Sequence, residues 1–123
     1  MKIFVFLLMI FLHIMDDFGL QGILAKMKCK SFWEDESSFY RQDWIAALVM
    51  HAFSWTFMIM LPIAVYRYKL DVSIEFCIIF LINLIIHALV DHLKANYKYI
   101  DLVGDQFIHI LQIICTFMIL VPW

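Results

Sequence analysis

Residues 44–66, WIAALVMHAFSWTFMIMLPIAVY, run for 23 positions without an Asp, Glu, Lys or Arg. At about 1.5 Å of rise per helical residue, such a run crosses a hydrocarbon core of about 30 Å with some tilt. Working outward from it, three more apolar stretches appear. A run from Ile3 to Met15 follows a single Lys2 and resembles a signal-peptide core, but no small-residue cleavage site follows, so it reads as a retained helix. Thirteen residues cover only about 20 Å, so this span is expected to continue through Asp16, Asp17 and Gly22 to about Ala25. The other two stretches are 72–93 and 102–121. The expected architecture is therefore all-α: a single integral membrane domain over residues 1–123, with spans near 3–25, 44–66, 72–93 and 102–121. Pro62 is placed to kink the far end of the second span.

Composition agrees with that reading. Hydrophobic residues make up 65% of the 123 and charged residues 16%, with a mean hydropathy of +0.89, far from the balance of a water-soluble domain. Three glycines and two prolines leave little material for linkers or a separate soluble domain. The Lys and Arg residues are scattered, so the basic footprint of a nucleic-acid binder is absent. Cys29, Cys77 and Cys115 lack metal-type spacing, and the last two read as small buried hydrophobes. The link from Lys26 to Asp43 carries Phe32, Trp33, Phe39 and Tyr40, which suits a segment lying at the membrane interface. Its Glu34-Asp35-Glu36 patch reads as a solvated turn. Lys26, Lys28, Lys30, Arg41, Lys94 and Lys98 flank one membrane face, against Lys2, Arg67 and Lys69 on the other. The positive-inside rule then predicts a bacterial inner-membrane protein with both termini outside.

The ionisable residues within the spans converge on one side. His13 and Asp17 close the first span, and His87 and Asp91 close the third. His51 opens the second, and Asp105 and His109 open the fourth. Counting in from the span ends puts His51 and His87 about 10 Å below the same interface. His13/Asp17, His87/Asp91 and Asp105/His109 are each spaced i,i+4, which places both members on one helical face. A bare Asp at the centre of a membrane helix costs at least about 2.5–3.5 kcal/mol, so such groups pair, line a cavity or bind something. Any single pair reads as polar glue between helices. Seven such residues at one level read as a site.

Imidazole with carboxylate, and no cysteine cluster, predicts a divalent transition metal such as zinc, iron or manganese, as one ion or two. His13, His51, His87 and His109 are candidate ligands, and Asp17, Asp91 and Asp105 are ligands or a general base. The site then lies toward the cytoplasmic side. Lys94 is a phosphate binder or, equally, a snorkelling interface anchor. Gln21 and Gln106 are candidate donors orienting the ligands.

The motifs His13-x-x-x-Asp17-Phe18-x-Leu20-Gln21, His87-x-x-x-Asp91-x-x-Lys94 and Asp105-Gln106-x-x-His109 resemble, in order, those of an uncharacterised family of small bacterial and phage integral membrane proteins, a domain of unknown function. The likeness extends from His13 to His109, with Met27-Lys28 and His51 as weaker matches, and implies no established activity. The arrangement is also similar in kind to inner-membrane metal-dependent hydrolases. Three functions follow as expectations. One is a metal-dependent hydrolase acting on a lipid or isoprenoid phosphate ester. Another is a proton or metal-ion conductor, for which His51-x-x-x-Trp55 resembles a gated pair. The last is a phage-type membrane interaction protein with a structural polar core. Lipids are partners in each, and an oligomer is left open.

Overall fold

The computed structural model describes residues 1–121, and those residues form an all-helical fold with four helices long and apolar enough to cross a membrane. Helix α1 (Lys2–Ile14) continues through a π-helical turn, Met15–Leu20. A short helix α2 (Leu24–Met27) and a 3-10 turn (Lys30–Trp33) begin the long link. Helix α3 (Asp43–Tyr66) crosses next, its helical bonding continuing past Pro62. Helix α4 (Ile74–His92) ends in a second π-helical turn, Leu93–Tyr97, and α5 (Leu102–Leu120) completes the bundle.

Local chemistry sets these boundaries. The Ser73 side chain accepts from the Phe76 N–H and the Asp101 side chain from the Gly104 N–H, capping the starts of α4 and α5. Gly22, at φ +50°, takes a backbone shape that other residues reach only at a cost, and it ends the first span at Leu20 instead of Ala25. The third span extends beyond the expected Leu93 to Tyr97, because the π turn carries it on until Lys98 turns left-handed at φ 56°.

Helix α3 is the central element, packing against both α1 and α4. The apolar core lies where Val5 and Met9 of α1 meet Trp55, Ile59 and Ile63 of α3 and Ile113, Phe117 and Leu120 of α5. Apart from Trp55, which lies against the rings of His13, His87 and His109, these residues sit toward the start of α1 and the ends of α3 and α5, away from the polar cluster, as an antiparallel order requires. The outer surface is also apolar, with Phe11, Phe53, Ile78, Leu89, Phe107 and Met118 exposed for contact with lipid. Cys77 and Cys115 belong to this exterior and are not buried. In a bilayer an apolar neighbourhood in sequence does not imply an interior position, so small hydrophobes serve on either surface.

The link folds back onto the bundle. The Asn96 side-chain amide donates to the Lys28 carbonyl (3.2 Å) and its oxygen accepts from the Lys30 N–H (2.7 Å). The Trp33 indole donates to the Met27 carbonyl, and Trp44 stacks on His92 with ring centroids 4.9 Å apart. Glu34, Asp35 and Glu36 are exposed.

A candidate metal centre at one end of the bundle

The first π turn and the facing ends of α3, α4 and α5 bring Asp16, Asp17, His51, His87, Asp91, Asp105 and His109 together. All but Asp17 are fully buried, and the Asp17 side chain is only 5% exposed. Three overlapping sets offer ligand atoms within 4.8 Å of one another: Asp17/His51/His87, His87/Asp91/His109 and Asp17/Asp105/His109. Asp91 lies between the imidazoles. Its Oδ2 is 3.1 Å from His51 Nε2 and 3.9 Å from His87 Nε2, while its Oδ1 is 3.7 Å from His109 Nε2.

Hydrogen bonds set the roles of two rings. The Trp55 indole N–H donates to His13 Nδ1 (2.8 Å), so His13 carries its proton on Nε2 and gives it to Gln106 Oε1 (3.0 Å). Both nitrogens are then committed. His13 belongs to none of the three sets, which departs from its expected place as a ligand: it holds Gln106, which in turn donates to Asp17 Oδ2 (2.7 Å) and Asp105 Oδ2 (3.1 Å). Gln112 donates from Nε2 to the backbone and side-chain oxygens of Asn83 (both 3.2 Å), leaving Oε1 to accept from His109 Nδ1 (3.2 Å). His109 Nε2 then faces Asp105 Oδ1, 3.3 Å away, and Asp91 Oδ1, 3.7 Å away. Among the described residues, His109 Nε2 and Asp105 Oδ1 are buried atoms without a hydrogen-bond partner. A neutral His109 would turn a lone pair on two carboxylate oxygens, and either a second ring proton or a metal cation between them relieves that repulsion.

The charge count points the same way. Lys28 Nζ lies 2.5 Å from Asp91 Oδ2, and Lys94 Nζ 2.5 Å from Asp105 Oδ2. Four carboxylates, Asp16 included, against two ammonium groups leave an excess of two negative charges when the imidazoles are neutral. Low-dielectric surroundings penalise that excess heavily, and one divalent ion cancels it.

Gln21 is placed as its sequence position suggests, donating to Asp17 Oδ1 (2.7 Å) beside His51 Nε2 (3.1 Å). Lys94 turns inward to Asp105 instead of reaching for the interface. Asp16 was not singled out by sequence. Its Oδ1 accepts from the Ser54 hydroxyl (2.6 Å), and its Oδ2 lies 4.0 Å from His51 Nδ1, behind the ring. Asn83 and Gln112 are further members that the His and Asp spacing does not point to, although an Asn or Gln within an apolar span is itself a signal, and Lys28, a weaker motif match, pairs with Asp91. A cavity of about 290 Å³ opens beside the cluster, lined by Asp17, Phe18, Gln21, Lys28, Asp91 and Lys94 among others.

The described residues thus form a polytopic helical membrane protein with clustered His and Asp side chains capable of coordinating a metal. No family model matches the chain, and no curated protein or solved structure matches it either.

Proposed function

We propose that the protein is a metal-dependent hydrolase of a lipid or isoprenoid phosphate ester, in a bacterial inner membrane, with its site toward the cytoplasm. The observation that carries this reading is the buried, unpartnered pair His109 Nε2 and Asp105 Oδ1, 3.3 Å apart, with Asp91 Oδ1 3.7 Å from the same ring nitrogen as a further donor for one divalent ion. Three protein ligands leave a position open, as in catalytic zinc sites. An ion there supplies Lewis acidity toward a phosphoryl oxygen and lowers the pKa of a water molecule. In hydrolysis the water oxygen bonds to phosphorus, the ester P–O bond breaks, and the proton lost by water is matched by one gained by the departing alkoxide. Asp17 faces the cavity and is steadied by Gln21 and Gln106, which suits it to accept the first proton. Lys28 and Lys94 on the cavity wall suit the phosphate charge. The kinship suggested by the three motifs is part of the same proposal.

The test is metal content per chain, by elemental mass spectrometry of gently purified protein. Wild type and the exposed-surface variant Glu34→Gln should retain a transition metal, whereas His109→Ala and Asp105→Asn should lose it. Hydrolysis of a polyprenyl or diacylglycerol phosphate in mixed micelles should fall with metal content. A wild type that neither retains nor takes up zinc, manganese or iron would end this reading. It would favour a proton relay instead, for which there is one specific observation. The rings of His109, His87 and His51 follow one another at N···N distances of 3.3 and 3.1 Å, a path along which protons can pass.

A further inference from the structure

We infer that the centre has a second, weaker ion position at His51 Nε2, His87 Nε2 and Asp91 Oδ2, bridged to the first through the Asp91 carboxylate and filled together with a phosphate dianion. The inference rests on the reading of the first position given above.

The sides of the triangle formed by these three atoms are 3.1, 3.1 and 3.9 Å. A circle through them has a radius of about 2.0 Å, which matches the bond lengths of about 2.0–2.2 Å from zinc to imidazole and carboxylate. Asp17 Oδ1 stands 3.6 Å from His51 Nε2, close enough to share in the set. Asp91 turns Oδ1 toward the first position and Oδ2 toward the second, the arrangement of a bridging ligand in a two-metal site, and Lys28 Nζ, now 2.5 Å from Oδ2, gives that oxygen up to the ion and turns to the phosphate. Behind His51, Asp16 Oδ2 is buried and has no hydrogen-bond partner, and it faces the ring nitrogen that must carry the proton when Nε2 binds an ion. Ser54 fixes the other oxygen of that carboxylate.

Two features make the second ion the weaker one. Coordination at His87 Nε2 places the His87 proton on Nδ1, which faces His109 Nδ1 at 3.3 Å. His109 already carries a proton there for Gln112, so the two rings must part. The second feature is charge. One divalent ion neutralises the cluster, and a second brings two positive charges in excess. A phosphate dianion in the adjoining cavity, between Lys28 and Lys94, cancels that excess. Ion and anion therefore bind with positive coupling.

Manganese is the probe, read by electron paramagnetic resonance and elemental analysis of detergent-solubilised protein, with inorganic phosphate as the anion. Manganese alone should give one ion per chain and a single-ion spectrum. Phosphate should raise the content to two ions and replace that spectrum with the broadened signal of an exchange-coupled pair. His51→Ala should keep one ion and show no coupling. Should His51→Ala fold poorly, Asp16→Asn, which leaves every ligand in place, should weaken the second ion by about tenfold or more and leave the first unchanged. One ion per chain at saturating manganese and phosphate would overturn the second position and leave the hydrolase reading standing. A coupled spectrum that persists in His51→Ala would overturn it too. A chain that binds no manganese at all would overturn both.

Discussion

His13 shows how a buried histidine can shape a polar cluster without joining any of its candidate ligand sets. An indole N–H has no acceptor role, so Trp55 dictates which His13 nitrogen carries the proton, and that proton then orients Gln106 between Asp17 and Asp105. Trp55→Phe keeps an aromatic ring against His87 but leaves a buried His13 nitrogen unsatisfied. We expect a loss of about 1–3 kcal/mol, read as a lowered melting temperature in detergent, with metal content reduced less than in His109→Ala. The i,i+4 pairs were legible in the sequence because a regular helix fixes which side chains share a face. Asp16 was not, because a π turn changes the angle between successive residues and lets two adjacent carboxylates both face inward. Lys28 reaches Asp91 from a link whose path no periodicity describes.

The elements that deviate from a regular helix carry much of the cluster. Met15–Leu20 presents Asp16 and Asp17, and Leu93–Tyr97 presents Lys94, which holds Asp105. π turns recur at functional sites because they re-aim side chains without ending the helix. Span existence was evident from hydropathy, but the end of the first span was not. Length alone predicts a helix on to Ala25, whereas the left-handed turn at Gly22 stops it and sends the chain back toward Asp91. Gly22→Ala places a side chain at φ +50° and should cost about 1–2 kcal/mol. Chemical denaturation in mild detergent would measure that cost, and metal content should fall with it because Lys28 is carried on the segment that follows. Full stability in Gly22→Ala would show that the turn bears no strain.

At the scale of the whole molecule, an antiparallel bundle of four spans puts Met1 and Val121 on the face opposite the cluster. The Lys and Arg distribution is the basis for expecting the cluster's face in the cytoplasm. Cys29 sits in the link beside the site, while Cys77 and Cys115 are on the lipid-facing exterior, so thiol labelling reports on one loop. We expect Cys29 to resist a membrane-impermeant maleimide in intact cells and to react in inverted vesicles. Labelling in intact cells would reverse the orientation without moving the site within the fold.

The apolar core beyond the cluster has a consequence for traffic. From His109 a polar chain runs through Gln112 and Asn83 to Thr116, and the neighbouring residues Ile59, Ile63, Ile113, Phe117 and Leu120 close the bundle off. The cavity beside Lys28 and Lys94 lies on the cluster side of that apolar core. On the hydrolase reading proposed above, cleaved phosphate would leave past the two lysines that first held it, so their grip would set the pace of turnover.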